Sequence, residues 1–388
     1  MRIAVVVQRY GEDVVGGAER LCRGVAEGLA ERGHEIEVIT TCARSYLNWA
    51  NAYPAGLEHV NGVRVRRFRT ERERDMCAFN TRSEALFSHP HTPGDERAWV
   101  DAQGPYAPRL IDYLHAIAGG RDRILFFTYL YYPTVHGIHA DPRRSVLVPT
   151  AHDEAPFYLP IYESVFSLPS ALIFNSTAEA ELVRHRFTRL PNYTAVIGVG
   201  VDNLEQLADD QPDSTAAKAP DPTLLYAGRI EEGKGVAELI EYLKRYREER
   251  DRRVRLCLMG EVAMDVPGTD WVELLGFVSE QEKIERLRQA TVLVAPSALE
   301  SFAIVVLEAM AAGTPVLVNA ASAAAVEHCQ RGGAGLYYRD YVDFSEALTL
   351  LLEDGKLRRS LAKQGVRYVR ANFSWGRIVD SYEKFLAG

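Results

Sequence analysis

Residues 292–318 read VLVAPSALESFAIVVLEAMAAGTPVLV. The run from Val292 to Ala295 is short, apolar and stopped by Pro296, as expected of a strand buried on both faces. A loop carrying Glu300 follows. A helix then begins near Ala303 and is closed by Gly313, before Thr314 and Pro315 lead into a second apolar run ending at Val318. This is the pattern of a βαβ unit, whose two strands lie parallel. Glu300 and Glu308 interrupt the apolar run, so a membrane span is a poor reading.

The same alternation extends in both directions. Upstream lie the predicted strands Thr223–Ala227, Val254–Met259 and Val272–Leu275, with helices near 235–248 and 279–290. Downstream, helices are expected near 342–353 and 356–371, with a last amphipathic helix over 374–386. The N-terminal half repeats the rhythm. Ile3–Val7 is a strand, Ala18–Arg32 a helix with Gly33 at its end, and Ile36–Thr41 the next strand. Further strands are expected at Val63–Phe68, Ile124–Tyr129, Val146–Ala151, Ala171–Asn175 and Ala195–Val201, with helical stretches near 97–118 and 177–187. Residues 203–222 are rich in Ala, Pro and Asp without apolar periodicity and read as a linker. Residues 42–105 show one clear strand and a His/Pro segment, and read as elaborated loops. Two βα series predict two doubly wound, Rossmann-like α/β domains, with the cleft between them as the default ligand site.

Composition supports this. At 388 residues, 47% hydrophobic and 25% charged, the chain suits a soluble globular protein of two or three domains. The formal charge of −8 argues against a whole-chain grip on nucleic acid. Five scattered cysteines without a C-x-x-C make a zinc ribbon or disulfide framework improbable and suit a reducing cytoplasm. Cys22 and Cys257 fall in apolar patterns, as buried residues do. The opening apolar run is too short for a signal-peptide core.

Ligands of doubly wound sheets bind beyond the carboxyl ends of the strands. Gly228–Gly235 (GRIEEGKG) follows a predicted strand and matches the start of a P-loop, but Gly235 stands where the Mg²⁺-binding Ser or Thr belongs. What remains is Arg229 and Lys234 beside a helix start, an arrangement that suits an anion or simply two solvated cations. Glu300 and Glu308 lie among apolar neighbours, and buried carboxylates need partners: ligand hydroxyls or structural ion pairs. His152, within Thr150-Ala-His-Asp-Glu154, directly follows a strand and faces the presumed cleft; Asp153 and Glu154 either orient it or cap the next helix.

Together these residues resemble the family-4 retaining glycosyltransferases of GT-B fold (glycosyl transferases group 1). Glu300-Ser-Phe-Ala-Ile-x-x-x-Glu308 is similar to the family's E-x7-E segment. Gly16-Gly17-Ala18-Glu19-Arg20 resembles its glycine-rich N-terminal loop, and Gly228-Arg229 with Lys234-Gly235 its diphosphate segment. Leu275-Gly276-Phe277-Val278 resembles its base-binding turn, and Gly200-Val201-Asp202 the end of its first domain. The resemblance implies an acceptor domain over 1–202, completed by a C-terminal helix at 373–388, and a nucleotide-sugar domain over 203–372. It implies that Arg229 and Lys234 bind the donor diphosphate, and that Glu300 bonds sugar hydroxyls. Ser301, Phe302 and Ala303 would meet sugar or phosphate, Glu308 the ribose, and the Phe277 and Val278 backbone the base. Gly16 and Gly17 would line the donor site, and His152 with Glu300 would be catalytic. In two places the chain departs from the family. Ala303 replaces a usual Gly, and Asn319-Ala-Ala-Ser-Ala-Ala-Ala replaces a proline–glutamate turn, where no donor contact is assigned.

The expected activity is retaining transfer of a sugar from a nucleotide-diphosphate donor, UDP before GDP, to an acceptor hydroxyl in glycan or glycoconjugate biosynthesis. The acceptor would be a sugar, a lipid-linked glycan or a small molecule. The alternatives are a nucleotide-sugar epimerase of this fold and a non-catalytic sugar-nucleotide-binding protein. No metal or other cofactor is expected, because no D-x-D occurs and neither His89/His91 nor His136/His139 brings a third ligand. No G-x-G-x-x-G supports an oxidoreductase. Arg64, Arg66, Arg67, Arg69, Arg72 and Arg74 form a basic run, read as a solvated strand edge or as a patch for an anionic lipid or pyrophosphate-linked acceptor. The expected location is the cytoplasm, with peripheral contact at the inner membrane face through that run.

Overall fold

The computed structural model describes residues 1–14, 16–207 and 221–388. The chain forms two compact units, Met1–Gly200 with Trp375–Gly388, and Val201–Ser374. The first holds strands β1 (Arg2–Val6), β2 (Glu35–Thr41), β3 (Gly56–Val60), β4 (Val63–Phe68), β5 (Arg123–Phe127), β6 (Ser145–Val148), β7 (Ala171–Phe174) and β8 (Tyr193–Val196), in the order β3-β4-β2-β1-β5-β6-β7-β8. All neighbours are parallel except β3, which runs against β4. Ile3, Ala4, Val5 and Val6 are fully buried, as a strand covered on both faces requires. Val5 is opposite Val38 on one side and Leu125 on the other.

The second unit holds β9 (Thr223–Ala227), β10 (Arg255–Met259), β11 (Val272–Gly276), β12 (Val292–Ala295), β13 (Val316–Asn319) and β14 (Gly335–Tyr338), all parallel, in the order β11-β10-β9-β12-β13-β14. Strand order reverses between β9 and β12 here, and between β1 and β5 in the first unit. Each sheet therefore has one switch point, where a crevice opens at the carboxyl ends.

The structure differs from the sequence reading in several places. Residues 42–105 are not only loops: β3 and β4 form a hairpin, and helices Met76–Ser88 and Pro93–Gln103 follow. Thr92 and Asp95 of the His/Pro segment close a capping box at the second of these. The stretch 97–118 is two helices, Pro93–Gln103 and Pro108–Ile117, each with a proline in its first turn. Strand β8 ends at Val196 rather than Val201. Helix Ala323–Gly332 and strand β14 were missed, because the alanine-rich start of that helix shows little periodicity. Of the expected linker, 208–220 lies outside the described residues, and Leu204–Leu207 forms one helical turn.

The part of the basic run that lies on β4 is not a solvated edge either, whereas Arg69 and Arg72 beyond it are exposed. Strand β4 lies inside the sheet, between β3 and β2. Arg67 is 2% exposed and pairs with Glu58, Arg66 pairs with the buried Glu37 at 2.8 Å, and Arg64 stands 3.6 Å from Glu35. Arg64 and Arg66, two apart, share one face of the strand and meet Glu35 and Glu37 of β2, while Arg67 points to the other face and meets Glu58 of β3.

The last helix, Trp375–Ala387, packs on Gly17–Glu31 within the first unit. A Cβ on Gly24 would come 2.1 Å from the Trp375 ring, and one on Gly28 2.5 Å from Val379. Arg32 bonds Asp380 at 2.5 Å and Glu383 at 2.9 Å, and His34 bonds Glu383 at 2.8 Å. Among the described residues no helix is long and apolar enough to cross a membrane.

Candidate functional site

In the second unit, the loops after β9 and β12 meet at the switch point. Gly235 takes a left-handed backbone (φ 73°) to start helix Val236–Glu249, and a Cβ there would come 2.7 Å from the Pro296 carbonyl oxygen. Only glycine satisfies both the turn and the approach. The contact brings Lys234 to Glu300, Nζ to Oε1 at 2.8 Å, with both side chains about a quarter exposed. Arg229 lies 3.2 Å from Glu231, and its backbone carbonyl accepts the Tyr226 hydroxyl at 2.5 Å. A lysine carries three donors, so Lys234 can hold Glu300 and a ligand oxygen together.

Helix Ile304–Ala311 starts at Ala303 without a side-chain cap, and so does Val236–Glu249 at Gly235. By contrast, Ser279 caps Glu280–Gln289 and Asp340 caps Tyr341–Glu353. First-turn N–H groups with no capping side chain suit an anion. Ala303 takes φ 59°, ψ 54°, the left-handed region that a glycine would occupy without strain.

Glu308 is 3% exposed, on the apolar helix that β12 feeds. Lys283 reaches it from helix Glu280–Gln289, Nζ to Oε1 at 3.1 Å, and also bonds Glu280 at 2.8 Å. Sequence reasoning missed Lys283. The signal was a lysine one turn into the helix that follows the Gly276-Phe277-Val278 turn. Phe277 is 75% exposed at the end of edge strand β11, and Val278 is half-buried.

A second missed residue is His328, 2% exposed on helix Ala323–Gly332. Its Nε2 lies 2.9 Å from the Phe302 carbonyl oxygen, and its Nδ1 lies 3.1 Å from the Tyr368 hydroxyl. A carbonyl only accepts, so Nε2 carries the proton and Nδ1 takes the hydroxyl's hydrogen. Burial pulls its pKa down to about 4, against the Phe302 bond that pulls it up. The Phe302 ring also packs edge-on against His328 at 4.9 Å and Phe373 at 5.7 Å. The segment between the two glutamates is thus fastened from below. Ser301, beside it, is half-buried.

In the first unit, Gly16 and Gly17 open helix Gly17–Glu31 after β1. Glu19 lies beneath, 7% exposed, holding Arg9 Nη2 at 2.6 Å and Gln8 Nε2 at 2.8 Å. His152 follows β6; its side chain is 31% exposed, and its Nε2 stands 3.4 Å from Glu154 Oε2. Glu154 also accepts the Tyr129 hydroxyl at 2.7 Å, and Asp153 that of Tyr158 at 2.7 Å. No side chain caps the short helix Ala155–Tyr158, so Glu154 does not act as a cap. Beside this loop, Glu179 is fully enclosed and accepts the backbone N–H groups of Ala151 and Asn175, each at 2.6 Å. Burial pushes its pKa up to about 8, against those bonds. Its signal was the S-x-x-E of Ser176–Glu179, a helix-start motif.

Two family models cover most of the chain: Glycosyl transferase 4-like domain over residues 16–200 and Glycosyl transferases group 1 over 208–367. The chain belongs to the group 1 glycosyltransferases, of family-4 type and GT-B fold. A D-inositol 3-phosphate glycosyltransferase of Geodermatophilus obscurus is 28% identical over 96% of this chain and 84% of its own. An uncharacterized glycosyltransferase of Methanocaldococcus jannaschii is 24% identical over 97% and 96%. Among solved structures, sucrose-phosphate synthase from Thermosynechococcus elongatus superposes with a TM-score of 0.74 at 19% identity, covering 100% of this chain and 98% of that one. Anabaena HepE, solved with UDP and glucose, gives 0.70 at 17% identity, with both chains fully covered. In this family setting, the carboxylates and cations around β9 and β12 occupy the switch point of the group 1 glycosyltransferase region. Among the described residues no group of three His, Cys, Asp or Glu is placed to hold a metal.

Proposed function

We propose that this glycosyltransferase moves a sugar from a nucleoside-diphosphate donor, UDP before GDP, to an acceptor hydroxyl, with retention and without a metal. The reading is carried by the Lys234–Glu300 pair, 2.8 Å apart, at the β9/β12 switch point beside two uncapped helix starts. Arg229, Lys234 and the N–H groups above Ala303 hold the diphosphate, and Glu300 takes the sugar hydroxyls. The bond from the anomeric carbon to the diphosphate oxygen breaks. The acceptor oxygen bonds to the same face of that carbon, and its proton passes to the leaving phosphate. Charge on the leaving group is met by fixed cations and dipoles, which need no reorganisation. Glu308 bonds the ribose while Lys283 neutralises it, Phe277 and Val278 meet the base, and Gly16, Gly17 and His152 contribute from the first unit. UDP is favoured because HepE and a trehalose-6-phosphate protein from E. coli were solved with UDP or UDP-2-fluoro glucose. The acceptor is a sugar, a lipid-linked glycan or a small molecule, in glycan or glycoconjugate synthesis in the cytoplasm.

Incubating the protein with a panel of nucleotide sugars, in EDTA, with and without acceptors, tests this. Free nucleoside diphosphate should appear, and more with acceptor. Interconversion of donor sugars without release would identify an epimerase, and binding alone a non-catalytic protein. Turnover lost in EDTA and restored by Mg²⁺ or Mn²⁺ would remove the metal-free mechanism.

A further inference from the structure

The first unit carries an open pocket of about 280 Å³, walled by Trp49, Arg72, Arg74, Phe79, Arg82 and Tyr106. Trp49 follows β2, and Arg72 and Arg74 follow β4, so the pocket lies on the carboxyl side of the sheet, where open α/β sheets take ligands.

Its floor is electrically unusual. Arg74 is 9% exposed, and its guanidinium donates to Gln103 Oε1 at 2.8 Å, to the Gln103 and Leu47 carbonyls at 3.2 Å each, and to the Tyr46 carbonyl. Every acceptor is neutral, and among the described residues no carboxylate lies within ion-pair distance of it. The rings of Trp49 and Phe79 lie 5.1 and 5.0 Å from the charge. A buried cation is ordinarily matched by an acid.

The acids nearby are committed elsewhere or stand in solvent. Asp75 accepts the N–H groups of Cys77 and Ala78 at 2.9 and 3.1 Å. Asp101 lies between Arg72 at 3.6 Å and His136 at 3.4 Å, and Glu73 is exposed. Two more cations stand at the rim: Arg72, 3.8 Å over the Tyr106 ring, and exposed Arg82. Trp49 holds φ 59°, a left-handed backbone that a bulky aromatic rarely adopts and that persists where a site is over-determined.

We infer that this pocket binds the phosphate of a single-ring sugar or polyol phosphate, which is the acceptor. Arg74, Arg72 and Arg82 meet the anion, and the Trp49 and Tyr106 rings offer flat apolar walls to the ring's C–H faces. The volume stands at the lower end of ligand pockets, roughly 300–1,000 Å³, and admits one ring rather than a chain. The acceptor role rests on the proposed transfer reaction; the binding does not.

An anionic phosphate is carried by a soluble sugar phosphate, as a monoester, and by a membrane headgroup such as phosphatidylglycerol, as a diester. Calorimetry on the full chain with glucose 6-phosphate, glucose and UDP, beside flotation with phosphatidylcholine vesicles containing phosphatidylglycerol, separates them. Glucose 6-phosphate should bind at least tenfold more tightly than glucose. Arg72→Ala and Arg82→Ala, both at the exposed rim, should each weaken it about tenfold. Equal affinity for the two sugars, or unchanged affinity in both variants, overturns the inference. Phosphatidylglycerol-dependent flotation lost in Arg82→Ala, without glucose 6-phosphate binding, overturns it in favour of a lipid surface. UDP binding without glucose 6-phosphate binding also overturns it and leaves the transferase reading standing, whereas glucose 6-phosphate binding without UDP binding supports this pocket and removes that reading.

Discussion

The imidazole of His328 donates to the Phe302 carbonyl oxygen at 2.9 Å, so the loop between Glu300 and Glu308 is held by a buried, neutral base. A folded pKa near 4, below the usual value of about 6.5, means that the folded state resists taking up a proton. Stability from this group is complete above pH 6.5 and is lost as pH falls towards 4. Wild type should therefore lose more stability than His328→Gln over that interval, by at most about 1.4 kcal/mol per pH unit. Denaturant titrations of both proteins at pH 7, 6, 5 and 4 give the comparison; parallel curves would dismiss a buried neutral imidazole.

Arg229→Ala removes a charge-assisted contact worth about 1.5–3 kcal/mol. UDP affinity by calorimetry should fall at least tenfold with the melting temperature nearly unchanged. Undiminished affinity would take the diphosphate away from Arg229.

Glu308 and Lys283 should respond unequally. Glu308→Gln keeps the shape and removes a buried charge, so donor affinity falls while stability changes little. Lys283→Met leaves a buried carboxylate without that cation, a situation that costs about 3–5 kcal/mol at full burial and less here, where Lys283 is 16% exposed. Thermal melts of the two variants should therefore rank Lys283→Met lower. The reverse order would make Glu308 the structural partner rather than the ribose ligand.

His152→Ala should lower turnover ~100-fold or more, with a smaller change in donor affinity, as orientation acts on the transition state. A purely structural histidine would instead lower the melting temperature and spare turnover in the folded fraction. The same assay on Glu179→Gln reports whether the carboxyl holding Ala151 positions His152: kcat should fall while UDP affinity stays, and an unchanged kcat would deny it that part.

Ala303→Gly should stabilise the protein by about 0.5–1 kcal/mol, because glycine takes φ 59° without the Cβ penalty. A lower melting temperature would mean that the Ala303 methyl contributes packing that outweighs the strain.

The alternation of apolar runs made the parallel strands of both sheets largely legible, since strands buried on both faces leave a clear pattern, while β3 and β14 escaped it. Strand-end position also led to Arg229, Lys234, Glu300 and His152. What stayed hidden came from tertiary pairing. Lys283 and His328 each act on a segment far away in sequence, and no local period marks them; the S-x-x-E around Glu179 marks a helix start but not its bond to Ala151. The arginines of β4 misled for the same reason. A run of charge read as a solvated edge, whereas Glu37 and Glu58, supplied by the adjacent strands, pair Arg66 and Arg67 inside the sheet.

Because Trp375–Ala387 belongs to the first unit, that unit cannot be finished until the ribosome has made the whole second unit and the helix that follows it. About 170 residues of the second unit emerge in between, which at ~5–20 residues per second takes roughly 9–35 s. For that interval Gly24 and Gly28 expose a bare helical groove shaped for Trp375 and Val379, while the second unit is free to fold alone. A released chain truncated after Ser374 should therefore be open to proteases in its N-terminal half and resistant in its later half.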